Sequence, residues 1–226
     1  MQLDSFQFAM IMGAMILSAL AQYLVNSQYN KFSKVRNARN LTGKEIAQSI
    51  LDKHGYSDIQ IVKGNTKLGD HFNPQKNLVV LSAGVHDGYS IAAAAIASHE
   101  IGHVIQYKTK YSLIGLRNSM VPYVSFSSSM SWTVLFLGIL MSFSGLIVAG
   151  IVMLGVVLLF QVFTLPVELN ASKRALDILV TDNYIGLEQG PQAKKVLAAA
   201  AFTYVVAVIV SIMQILRFLQ LFRNRN

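Results

Sequence analysis

Between Arg117 and Glu168 the chain carries no lysine, arginine, aspartate or glutamate. An ordinary globular core does not hold an uncharged run of that length, because its helices need one wet face. A bilayer core about 30 Å thick takes about 20 apolar residues per helix. The run therefore predicts two membrane spans, 121–141 and 146–165, joined by a turn at 142–145. Two more apolar stretches, 6–25 and 196–216, bring the expected number of spans to about four. The first lacks the basic start and small-residue cleavage pattern of a secretory signal, so it is expected to be retained. Only 13% of residues are charged, about half the share usual in soluble domains.

The region 28–118 is the only sizeable polar one, and it is expected to form a small α+β domain. Thr42 with Glu45 three residues later has the form of a capping box, which predicts a helix running to about Lys53. Short strands are expected at 58–62 and 77–82, with Asn73-Pro74 as a turn between them. The second strand is a candidate edge for pairing with an extended substrate. Ser90 opens an Ala-rich helix that should reach Tyr107. Pro166 suits the first turn of a new helix, expected over 166–190. The fold class expected is a mainly α membrane protein with a small α+β zincin-like catalytic region.

The chemistry lies in His99-Glu100-Ile101-Gly102-His103. Four-residue spacing on a helix stacks two imidazoles on one face, where both can ligate one cation. Glu100, about 100° around the helix, can reach a water at that cation without being a ligand. With no cysteine in the chain, a metal must use His, Asp or Glu. A catalytic zinc site normally takes three protein ligands and a water. The metzincin position six residues after His103 is Thr109, and His54, His71 and His86 all lie upstream. Of the downstream acids Glu168, Asp177, Asp182 and Glu188, Glu168 is the expected third ligand, because a two-span hairpin returns the chain to the side it left. Its alternative role is to stabilise a helix N-terminus. His71 is a candidate for substrate or oxyanion binding, and so is Arg174, six residues after Glu168 on the same expected helix.

The segments Ala97 to Gln106, Gly69 to Pro74 and Pro166 to Ala175 resemble the bacterial YugP-type neutral zinc metallopeptidases, as does the order of spans over nearly the whole chain. The resemblance implies a membrane gluzincin, distantly similar to HtpX-type proteases, with Zn2+ as cofactor and Glu168 as third ligand. It also implies an aspartate four residues after that glutamate, orienting a ligand. Here that position is Ser172, so Asn170 or Ser172 is the candidate for the role.

The expected activity is that of a zinc metalloendopeptidase acting on membrane or membrane-proximal polypeptides. The alternative is a non-catalytic zinc-binding scaffold or chaperone partner. The formal net charge of +8 reflects topology and anionic lipid rather than nucleic acid. Lys31, Lys34, Arg36 and Arg39 directly follow the first span, which predicts a cytoplasmic active site; the resemblance implies that the membrane is that of a bacterial cell. Arg217, Arg223 and Arg225 run against that rule if the last stretch spans fully.

Overall fold

The computed structural model describes residues 5–223; Arg225 lies outside the described residues. The chain is a mainly α-helical membrane protein with a small α+β part. Four helices are long and apolar enough to cross a bilayer: α1 (Ser5–Phe32), α5 (Ser112–Leu140), α6 (Ser144–Thr181) and α7 (Gly190–Arg223). Between α1 and α5 lie α2 (Gly43–Lys53), β1 (Gln60–Gly64), β2 (His71–Asn73), β3 (Leu78–Ser82), α3 (Ala83–His86) and α4 (Ile91–Lys108). These elements fall into two compact units: one comprises 1–22, 112–166 and 202–226, the other 23–111 and 167–201.

The first unit is a bundle built from parts of the four long helices. Apolar side chains such as Phe8, Met15, Tyr123, Phe136 and Val152 are exposed on it, as a surface solvated by lipid tails allows. Small residues set the helix spacing. A Cβ on Gly13 would lie 2.8 Å from Met213 Cε, and one on Gly138 would lie 2.8 Å from the Ile147 amide nitrogen. Leu135, Ile147, Leu154, Phe218 and Leu221 form its buried apolar cluster.

The second unit has a conventional core. Thr42 accepts from the Glu45 amide while Glu45 reaches back to the Thr42 amide, so the expected capping box starts α2. Ile46, Ala47, Ile50 and Leu51 of α2 are fully buried in a cluster with Ile91, Ala92 and Ala95 of α4. Ser90 caps α4 by accepting from the Ala93 amide. Most of α4 is buried, which explains its near-uniform apolar character.

Three elements differ from the sequence expectation. β3 is the central strand, parallel to β1 and antiparallel to β2, in the order β1-β3-β2. It therefore has no free edge, and the free edges belong to β1 and β2. β2 is an unexpected strand that ends at Asn73, the first residue of the expected turn; three residues are too short for alternation to register. Pro166 does not start a helix; α6 runs through it. The missing N–H removes one bond of the ladder, a loss that long membrane helices tolerate. Glu168 is consequently interior to α6, and the helix N-terminus role falls away.

Within the second unit α4 and α6 touch at Gly102. A Cβ there would lie 2.7 Å from the Ala171 carbonyl oxygen and 3.2 Å from Ala171 Cα. Both neighbours are backbone, so relief requires helix movement. Gly102→Ala is expected to destabilise by about 1–3 kcal/mol despite the better helix propensity of alanine. A lowered thermal unfolding midpoint in detergent checks this; an unchanged or raised midpoint contradicts it.

Candidate metal centre

α4 presents His99 and His103 on one face, with ring centroids 4.7 Å apart and planes at 84°. α6 brings Glu168 between them. His99 Nε2 lies 3.2 Å from Glu168 Oε2, and His103 Nε2 lies 3.3 Å from the same oxygen. One ligand atom from each residue lies within 4.8 Å of the others. Tetrahedral zinc with bonds of about 2.0–2.1 Å separates its ligand atoms by about 3.3 Å. The two nitrogen–oxygen distances therefore fit the edges of a zinc tetrahedron. Glu168 is 2% exposed, and a carboxylate buried that deeply needs a cation or protons beside it. The residues present fit zinc in donor type, spacing and charge.

The outer nitrogen of each imidazole is also engaged. His99 Nδ1 lies 3.2 Å from Ser172 Oγ on α6. His103 Nδ1 lies 3.0 Å from Gln106 Oε1, one turn further along α4. The Gln106 side-chain nitrogen donates to the Val167 carbonyl at 2.7 Å and to Asn170 Oδ1 at 3.0 Å. A backbone carbonyl can only accept, so the Gln106 amide orientation follows, and its oxygen must face His103. His103 Nδ1 is then the donor to Gln106, and Nε2 is the nitrogen that faces Glu168 Oε2: as an N–H it donates to that carboxylate, and it would give up that proton to ligate a cation. Arg174 Nε donates to Asn170 Oδ1 at 2.8 Å and fixes that amide in turn.

Glu100, the other acid of the motif, is 7% exposed. Burial pushes its carboxyl up from the usual carboxylate range, against the pull of His99 and His103. No protein hydrogen bond bears on that carboxylate among the described residues. Burial pulls His103 down, but the hydrogen bond and charge of Glu168, with Glu100, outweigh it and leave the imidazole raised. The three acids and bases thus share one buried, mutually coupled site.

The remaining candidates separate. Ser172 and Asn170 stand in the hydrogen-bond network of the two imidazoles, and Arg174 joins it through Asn170. His71 is exposed at the start of β2, its Nδ1 2.9 Å from the Gly69 carbonyl, and is not part of the metal-ligating group. Gln106 is a site residue that the motif alone does not reveal. Its signal was available in part: an amide at i+3 from the second histidine falls on the same helix face.

Fold and site together define a membrane protein in which two histidines and one glutamate, a group able to hold a metal ion, converge between α4 and α6. The chain belongs to the zinc metallopeptidase family described as "Putative neutral zinc metallopeptidase", whose sequence model matches residues 7–223. It is 40% identical over 211 residues to the "Putative membrane protease YugP" of Bacillus subtilis (strain 168), covering 93% of this chain and 94% of that protein. No solved structure matches the chain.

Removing the Gln106 amide should loosen the His103 ring without removing a ligand. Gln106→Leu is expected to weaken zinc binding by about 10–100-fold, measured by competition with a chelator of known affinity. Glu168→Ala should lose zinc at concentrations that saturate the unaltered protein. Full occupancy in Glu168→Ala removes that residue from the ligand set.

Proposed function

We propose that the chain is a zinc metalloendopeptidase embedded in the bacterial cell membrane, with His99, His103 and Glu168 as metal ligands and Glu100 as general base. The reading rests on one observation: two imidazole nitrogens from one helix lie 3.2 and 3.3 Å from one buried carboxylate oxygen of another, two edges of a zinc tetrahedron, with all three ligand atoms within 4.8 Å of one another. Among the described residues no fourth His, Asp or Glu joins the group. A site with three protein ligands keeps a position for water or substrate, as catalytic zinc sites do and closed structural ones do not.

Zinc bound there supplies a Lewis acid that polarises a carbonyl and acidifies water. The chain supplies the proton handling. Glu100 sits beside the ligands on α4 and takes no part in holding the metal. Its carboxylate, raised by burial, takes a proton from the attacking water and later passes it to the leaving amine nitrogen. Ser172 and Gln106 hold the two rings in the tautomer that points Nε2 inward. Asn170 and Arg174 act through Gln106, as positioning residues. His71, exposed on the edge strand β2, is available to bind substrate, and the free edge of β2 offers backbone pairing to an extended polypeptide.

Substrates are then polypeptides in or near the membrane. The basic residues that follow the first span support a cytoplasmic catalytic unit, with Arg217 and Arg223 at the end of α7 counting against it.

Glu100→Gln should retain zinc, because no ligand changes, while peptide cleavage falls by about 10²–10⁴-fold. Cleavage should also stop in excess chelator and return with added zinc. A cleavage rate in Glu100→Gln equal to that of the unaltered protein rejects Glu100 as the base.

A further inference from the structure

The bundle unit carries a pocket of about 390 Å³, open on one side, to which α1, α5, α6 and α7 all contribute; Ser18, Gln22 and Ser128 are exposed at its mouth, and Ser131 and Ser211 are buried at its base. Its lining is unlike the rest of the bundle. Three glutamines, Gln22, Gln161 and Gln214, face it together with Ser131 and Ser211, and no lysine, arginine, aspartate, glutamate or histidine lines it. Ser131 is 1% exposed, and neither its hydroxyl oxygen nor Gln161 Oε1 has a hydrogen-bond partner among the described residues. A polar group withdrawn from water is costly unless paired, and lipid tails offer no partner. Alanine or leucine at these positions would pack against neighbouring helices without that cost. The concentration of amides and hydroxyls around one space is therefore a feature that a ligand explains.

We propose that this cavity is a hydrated binding site for an uncharged, hydrogen-bonding stretch of a polypeptide within the membrane. The space is large enough for several waters, and it falls in the size range of small-ligand sites. Each glutamine amide presents a carbonyl and an NH2, the same donor and acceptor as a peptide group. A membrane-spanning chain that unwinds from its helix exposes such groups and needs partners for them. The charge-free lining offers no cation to a phospholipid phosphate. As a route for substrate, the site rests on the peptidase reading; as a binding site it does not.

The absence of cysteine makes the test clean. Ser131→Cys and Ser211→Cys, each with Glu100→Gln, are placed in nanodiscs and treated with a water-soluble thiol reagent. Val152→Cys, on the exposed apolar surface of the bundle, serves as the lipid-facing control. A thiol reacts as its thiolate, which forms in water and not in hydrocarbon. Ser131→Cys should thus react at least roughly ten-fold faster than Val152→Cys. A membrane-spanning peptide with Asn, Gln and Ser at its centre should slow that reaction several-fold, and an all-leucine peptide of equal length should leave it unchanged. Adding Gln161→Leu and Gln214→Leu should abolish the protection while zinc content stays intact. Equal labelling of Ser131→Cys and Val152→Cys overturns the hydrated cavity. Labelling without protection by the polar peptide, or equal protection by the all-leucine peptide, overturns the binding site. Because no readout depends on cleavage, failure of the peptidase reading shows separately, as a peptide left intact by the unaltered protein while protection persists.

Discussion

The candidate metal centre depends on the approach of α4 and α6 to backbone contact at Gly102 and Ala171. A methyl group at position 102 would meet a carbonyl oxygen and an α-carbon, neither of which can rotate away. That approach sets Glu168 Oε2 at 3.2 and 3.3 Å from two imidazole nitrogens. It also lets Gln106 reach the Val167 carbonyl across the helix pair. Ligand geometry and helix packing are one constraint seen from two sides. The glycine inside the motif carries a propensity penalty that the contact explains.

From that contact a directed network follows. The Val167 carbonyl accepts only, so it orients the Gln106 amide. The amide oxygen then faces His103 Nδ1, and the proton there leaves Nε2 as the nitrogen that can ligate a cation. Asn170, held by Arg174, closes the other side of the same amide. On His99 the partner is a serine hydroxyl, which can donate or accept and so fixes the tautomer less firmly than an amide in a determined orientation. The two imidazole rings are therefore held by different means, one through a chain of fixed donors and one through a rotatable hydroxyl.

The bundle shows a different economy. Its outer surface is largely apolar, while one pocket that opens on it gathers glutamines and serines. In a bilayer the hydrophobic effect does not distinguish helix–helix from helix–lipid contact. Polar side chains in the bundle thus mark specific interactions more sharply than they would in a water-soluble core.

Much of this was legible in the residues. The charge-free run sufficed for spans because bilayer thickness converts directly into apolar length. His99, Glu100 and His103 were legible because i to i+4 spacing is a local property of any helix. Glu168 followed from the return of a two-span hairpin. Other features were not local. The ends of β1 shifted by two residues, to Gln60–Gly64, because weak alternation does not fix a boundary. The local signal at Pro166 was outweighed by the cooperativity of a 38-residue helix. β3 took the centre of the sheet because β2, only three residues long, paired with it. The roles of Gln106, Asn170 and Arg174, and the meeting of glutamines from separate helices, depend on which helix faces touch. Sequence by itself determined the membrane-spanning character and the paired imidazoles, since both arise from spacing along one chain segment. Only tertiary structure decided how the carboxylate, the amide network and the polar cavity come together, since each requires close packing between segments far apart in sequence.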